Sequence, residues 1–455
     1  MTRPEYFALA DVPGLLRQYP LGTDFLRTYK AMSSDQLRSV QEAQFTRLMA
    51  RGWTVPFYQR LWGARGIEPG DIRSLDDIAR LPTYDKADLM ASIAAHPPFG
   101  DFHGLPGGVG TSPAILHTTS GTTGKPQVLL FGPRGREVGN LLVGRMALWQ
   151  GLADGDVVHS VYGHGMINGG HYIREAYAHF TNAVFMSAGT GIETRSAAQV
   201  RLMADFGASV AVGFIDYIRK LAEVARDEGL IPGEHIKLRM IIGHLGTEDR
   251  RGVEDAWGGA RAFDWYGVGD TGCIAGEGPE RDGLYVWEDA QYLELCDVDS
   301  GAPVPAGQKG DMVVTCLYKD DVAPCIRFNT HDVSAFRTDS NVHGIPFRRI
   351  EGFLGRSDNM VKLKGINVFP HAIGALIENR PELTGEYVCH MPSDGMPVTL
   401  EHRDPASDTA PLVVLLRAGL GVEVAVAPMP PGGTAAATQI DVRQKPIRLI
   451  DERKP

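Results

Sequence analysis

Apolar residues change their spacing along the chain, and each change marks a different kind of structure. Between residues 24 and 62 they recur at helical intervals: Phe25, Tyr29 and Met32, then Leu37, Val40, Ala43, Phe45 and Leu48 behind the cap-like Ser33-Ser34-Asp35. Polar residues fill the gaps, so amphipathic helices are expected there. Beyond residue 133 short apolar runs alternate with longer periodic segments. The pattern predicts a helix over 134–153, strands at 156–162, 183–186, 209–213 and 240–243, and helices over 196–206 and 217–228. Such alternation implies a mostly parallel sheet covered on both faces, with ligands beyond the carboxyl ends of its strands. The loops 163–170, 213–216 and 243–247 fall at those ends. From residue 284 the texture changes to short β pieces at 284–287, 291–296 and 312–317, divided by turns such as Asp299-Ser300-Gly301. After residue 357 a separable segment reads as strand 361–363, helix 373–380 and strands 412–416 and 422–428. The expected class is α/β, with a large domain over 1–357 and a small α+β domain over 358–455.

Composition narrows the function classes. A chain of 455 residues is too long for one compact core. The net charge of −10 and the lack of any Lys/Arg block argue against a nucleic-acid partner. Five cysteines, with no Cys-x-x-Cys pair, fit reduced cytoplasmic thiols rather than a disulfide framework. The first residues carry no signal-like apolar core, and no run approaches the ~20 residues of a membrane helix. The expectation is a soluble cytoplasmic protein with no membrane partner; a homodimer is allowed but not required.

One stretch carries the chemistry. Residues 116–132 read LHTTSGTTGKPQVLLFG, an apolar entry, a polar loop and a second apolar run. Glycines let backbone N–H groups turn inward and hydroxyls add donors, which suits a polyphosphate. It is not a Walker A loop, since only Thr122 and Thr123 separate Gly121 from Gly124 and Pro126 precedes a β-branched run. Strand–loop–strand is the better reading. A plain Ser/Thr-rich turn is the bland alternative.

The run Thr119, Ser120, Gly121, Thr122, Thr123, Gly124, Lys125 resembles the phosphate loop of adenylate-forming enzymes, the superfamily of acyl-CoA ligases, luciferase and peptide-synthetase adenylation domains. PFYQRLW at 56–62, DIRSLDDIARLP at 71–82 and Asn367-Val368-Phe369-Pro370 resemble the phenylacetate–CoA ligase branch. The resemblance implies an adenylation domain of parallel sheets with a β-subdomain, followed by a mobile lid. Tyr266-Gly267-Val268-Gly269-Asp270 stands where the family has Tyr-Gly-x-x-Glu, so Tyr266 and Gly267 would meet adenine and Asp270 would hold Mg²⁺ with one methylene less reach. Asp332, in Arg327-Phe328-Asn329-Thr330-His331-Asp332, would bind the ribose hydroxyls, with His331 replacing a glycine. Arg356 would add charge-assisted bonds to the nucleotide. Gly243 and His244, at a strand end, join this nucleotide set.

Further positions follow from the same resemblance. Asp358 would be the hinge of the lid, and Gly365 would admit the narrow thiol arm. Lys445 would be the adenylation lysine, acting beside Thr122 and Lys125, although Gln444 and Pro446 depart from the family pattern. Tyr162, His164, Met166, Asn168, Gly169, Phe214 and Ile215 surround the strand ends and suit a flat ring bearing a polar substituent. The implied activity is ATP- and Mg²⁺-dependent activation of an aromatic acid, arylacetate or substituted benzoate, to acyl-AMP. Transfer to coenzyme A as a thioester would follow. A carrier-protein thiol, another nucleophile, or a non-catalytic nucleotide-binding role are the alternatives.

Overall fold

The computed structural model describes residues 5–105, 112–119, 126–246, 248–357, 361–363, 366–368, 370–377, 380–392, 395–440 and 446–452. The chain divides into two compact units: 1–245 with 250–330 and 334–352, and 246–249 with 331–333 and 353–455.

In the first unit the helical N-terminal stretch forms as its spacing requires. Helix Ser34–Gly52 starts at a capping box, where the Ser33 hydroxyl accepts from the Gln36 N–H at 3.2 Å and the Gln36 side chain accepts from the Ser33 N–H at 2.8 Å. Leu37, Phe45 and Leu48 are its buried stripe. Strands β1 (Ile115–Thr118) and β2 (Val128–Phe131) pair antiparallel, Thr118 opposite Val128. The polar loop expected between two strands is thus flanked by a hairpin, although residues 120–125 themselves lie outside the described residues.

The main sheet has eight strands. They are β3 (Val157–Ser160), β4 (Val184–Ser187), β5 (Val210–Gly213), β6 (Met240–Gly243), β7 (Arg261–Val268), β8 (Gly272–Glu277), β9 (Leu284–Val286) and, from further along the chain, Arg349–Ile350. The order is Arg349–Ile350, β9, β8, β7, β6, β5, β3, β4. Strands β3 to β7 run parallel and the far edge is antiparallel. Helices Pro133–Gln150, Ser196–Asp205 and Ile215–Asp227 lie near the expected positions. Val200, Met203, Ile218 and Leu221 pack with Ala211 and Ile241 of the sheet in one core. Helix Asn168–Phe180 is an addition: it begins inside the stretch read as a loop. Its apolar Tyr172, Ile173, Ala176, Tyr177 and Phe180 are buried at helical spacing. Strands β10 (Gln291–Cys296) and β11 (Lys309–Cys316) pair antiparallel, and β11 neighbours β12 (Phe328–Ala335).

The second unit has its own core, with Val361, Ile373, Tyr387, Val398, Leu400 and Leu416 among its buried residues. Its sheet orders Val426–Met429, Val398–His402, Leu383–Met391 and Leu449–Asp451. The strand expected at 412–416 is instead the helix Ala410–Leu420. An apolar run of that length does not distinguish strand from buried helix. Here Pro411 starts the helix, Gly421 ends it with φ 74°, and Leu412, Leu416 and Leu420 are buried one turn apart. The following strand also begins later than expected, at Val426. Among the described residues no helix is long and apolar enough to cross a membrane.

Candidate functional site

The carboxyl ends of β3, β5, β6 and β7 bring the candidate residues of the first unit together. Gly213 and Gly243 are register partners at the ends of β5 and β6. A Cβ on Gly243 would come within 2.3 Å of the Gly213 carbonyl oxygen, so the close approach needs glycine. His244 follows and stacks on Trp265 at 4.1 Å between ring centroids, with Nδ1–H donating to the Trp265 carbonyl at 2.9 Å. Tyr266 is buried, and its hydroxyl donates to Thr330 Oγ1 at 3.3 Å. Thr330 in turn donates to the Met312 carbonyl at 2.9 Å. Two sequence motifs 64 residues apart therefore share a hydrogen bond. Gly267 sits at a bulge between β7 and β8, where a Cβ would strike the Gly272 carbonyl.

The acyl-side candidates occupy the neighbouring strand ends. Tyr162 is buried and packs edge-on against Phe214 at 5.0 Å, and burial pushes its phenol well above the usual range. A Cβ on Gly169 would come within 3.6 Å of Tyr162 Cδ1, and Ile215 is buried beside Gly243. The His164 N–H donates to Glu193 Oε1 at 3.1 Å. Burial and the adjacent His171 lower the His164 pKa, favouring the neutral ring. Asn168 is buried and accepts from Arg136, whose Nε donates to Glu175 at 2.6 Å. Met166 is more than half exposed, but its carbonyl accepts from the Thr118 N–H at 2.8 Å, tying this loop to the hairpin.

Thr119 and Gln127 bond each other across the hairpin: the Thr119 N–H donates to the Gln127 carbonyl at 3.0 Å, and the Gln127 N–H donates to the Thr119 hydroxyl at 3.2 Å. Asp270, in the turn after β7, accepts on Oδ1 from the Gln127 amide at 2.6 Å, and its carbonyl accepts from Lys319 Nζ at 2.7 Å. Burial is the largest influence on the Asp270 carboxyl and raises its pKa, against the pull of Lys319 and Gln127. A bound cation would reverse that balance by favouring the charged form. Mg²⁺ keeps several waters and takes one or two protein carboxylates beside substrate phosphates. The donor chemistry of Asp270 fits that demand.

In the second unit Asp332 and Arg356 are register partners, with Arg356 Nη1 donating to Asp332 Oδ1 at 2.8 Å. His331 holds φ 56°, the left-handed region where the resembled motif has glycine. The Ser357 N–H donates to its carbonyl at 2.7 Å. Arg448 donates to Glu386 Oε2 at 2.7 Å and to the Tyr387 carbonyl at 2.9 Å, which anchors the last strand. Ser120, Gly121, Thr122, Thr123, Gly124, Lys125, Asp358, Gly365 and Lys445 lie outside the described residues. Gln127, Lys319, Trp265 and Thr330 were not singled out by sequence. Gln127 and Thr330 stand inside quoted motifs and Trp265 directly before one, whereas Lys319 carried no such signal.

No protein-family model matches the chain. It is 30% identical over 383 residues to a phenylacetate–coenzyme A ligase of Aromatoleum evansii, covering 82% of this chain and 83% of that one. A phenylacetate–coenzyme A ligase of Thermus thermophilus is 31% identical, with 79% of each chain covered. Among solved structures, a 2-hydroxyisobutyryl-CoA ligase in its postadenylation state superimposes with TM-score 0.79 at 25% identity, over 94% of this chain and 92% of the other.

Proposed function

The chain belongs to the phenylacetate–coenzyme A ligase family, and from that premise we propose that it is an AMP-forming acid–thiol ligase acting on an aromatic carboxylic acid. In the first step a carboxylate oxygen attacks the α-phosphorus of ATP, pyrophosphate leaves, and acyl-AMP forms. In the second the thiol sulfur of coenzyme A attacks the acyl carbon and AMP leaves. Mg²⁺, which Asp270 would hold, would supply charge to offset that of the phosphates.

The roles of individual residues are part of the proposal. The observation that carries it is the Asp332–Arg356 pair, which puts a hydrogen-bond acceptor for ribose hydroxyls beside a guanidinium suited to the nucleotide. Tyr266 offers an aromatic face to adenine, Asp270 an oxygen to Mg²⁺, and the loop 119–125 its amides and hydroxyls to phosphate. Gly243 and His244 would join this nucleotide set. Lys445 would bridge carboxylate and α-phosphate, Asp358 would be the hinge of a lid over 358–455, and Gly365 would flank the thiol. The ring of the acid would sit among Tyr162, His164, Met166, Asn168, Gly169, Phe214 and Ile215, where aromatic faces meet a few polar groups. That mixture supports arylacetates or substituted benzoates. The structural likeness to a hydroxyacid ligase supports a branched hydroxy acid as the second reading.

Pyrophosphate release with ATP, Mg²⁺ and a panel of phenylacetate, substituted benzoates and 2-hydroxyisobutyrate tests the substrate class, with mass detection of the coenzyme A thioester. An aromatic acid is expected to give the highest kcat/KM. A preference for 2-hydroxyisobutyrate would overturn the aromatic reading, and acyl-AMP without thioester would point to another acceptor.

A further inference from the structure

Gln127 is fully buried beside β2, and its side chain links the hairpin to Asp270. Its backbone is fixed by the two hydrogen bonds to Thr119. Its side chain leaves the hairpin, and Nε2 donates to Asp270 Oδ1 at 2.6 Å, across 143 residues of sequence. From the other side Lys319 fixes the Asp270 backbone through its carbonyl. The Gln127 amide thus bonds one oxygen of the Asp270 carboxylate, while the Lys319 ammonium holds the peptide behind it. The second amide atom of Gln127, Oε1, is buried and has no hydrogen-bond partner among the described residues. A buried acceptor left unmet costs stability.

We propose that Gln127 is a positioning residue for the metal carboxylate, holding Asp270 toward the nucleotide phosphates and compensating for the short reach of an aspartate. The inference rests on the reading of Asp270 as the Mg²⁺ ligand. A carboxylate has two oxygens able to accept or coordinate, and the amide engages one of them in a fixed direction. Ligand-orienting partners of this kind typically change metal affinity about 10- to 100-fold when removed.

The test uses the full-length protein with Mn²⁺ and a non-hydrolysable ATP analogue, reading Mn²⁺ affinity by electron paramagnetic resonance. Thermal stability and the Mg²⁺ KM are measured in parallel. Gln127→Leu is expected to weaken Mn²⁺ about tenfold and raise the Mg²⁺ KM, with Tm unchanged or higher. Adding Asp270→Glu, whose longer side chain reaches without the amide, is expected to restore Mn²⁺ affinity. Asp270→Asn separates the two layers of the argument. Wild-type Mn²⁺ affinity in Asp270→Asn overturns Asp270 as ligand. Lost affinity there with wild-type affinity in Gln127→Leu overturns the positioning role alone. Should Gln127→Leu fail to fold, Gln127→Met carries the same expectations.

Discussion

Asp332 and His331 show how much a single position decides. Asp332 has Arg356 as its neighbour in register, so one carboxylate oxygen is oriented by the guanidinium before any ligand arrives. Asp332→Ala removes an acceptor for charged hydrogen bonds worth roughly 1.5–3 kcal/mol. The expected outcome is an ATP KM raised about ten- to a hundred-fold, read from initial rates at saturating acid and thiol. An unchanged ATP KM would take Asp332 out of the site. His331 holds a left-handed backbone with φ 56°, which disfavours any residue with a Cβ. His331→Gly should relieve that strain and raise stability by roughly 1 kcal/mol, seen as a higher Tm. A lower Tm would mean that the imidazole contact with Ser357, 3.3 Å from Nδ1 to Oγ, outweighs the strain.

Between elements, polar ties join helices to one another and to the turn before β10. Arg145, in helix Pro133–Gln150, is fully buried and donates to Asp289 Oδ1 at 2.9 Å, while the Tyr29 hydroxyl donates to Asp289 Oδ2 at 2.5 Å. The guanidinium also lies 5.0 Å from the Phe25 ring centroid. Removing one member of such a pair leaves a buried charge unmatched, so Asp289→Ala should cost about 3–5 kcal/mol, measured by denaturant unfolding. A loss below ~1 kcal/mol would show that water reaches Arg145. A second tie depends on pH. Glu137 accepts from the Tyr6 hydroxyl and from His179 Nδ1, both at 2.9 Å. The bond to Glu137 raises the His179 pKa, against burial. The folded pKa thus exceeds the unfolded value of about 6.5. The stabilisation is complete below that unfolded value and fades as pH rises through the higher folded one. Tm should therefore fall more steeply above pH ~6.5 in the native protein than in His179→Gln. Parallel curves would remove the pair from the stability account.

At the scale of the whole molecule, each unit encloses a core of its own, and the last strand of the second is anchored by Arg448 three residues beyond Lys445. The proposed division of labour assigns Lys445 to the first half-reaction only. Lys445→Ala should lower adenylation roughly 10²-fold or more, as loss of one transition-state donor does. Thioester formation from presynthesised acyl-AMP should remain. Pyrophosphate release and single-turnover thioester formation measure the two halves separately. An equal fall in both would make Lys445 a structural residue.

Local pattern determined a good part of this protein. Alternating apolar runs placed β5, β6 and β10 and their helices, because burial on a regular period is written into neighbouring residues. Motif resemblance singled out Asp332 and Arg356 separately, and the two stand paired in register. Elsewhere the sequence was ambiguous. The run at 412–416 satisfies strand and helix alike until Leu412, Leu416 and Leu420 find a core that buries every fourth position. Helix Asn168–Phe180 was hidden in a glycine-rich stretch for the same reason: its apolar face has meaning only against its neighbours. Tertiary structure alone decided that Gln127 meets Asp270 and that Tyr266 meets Thr330. A buried amide or hydroxyl has no periodicity and no fixed spacing to its partner. Its choice is made by whichever donor or acceptor the folded backbone delivers within hydrogen-bonding distance.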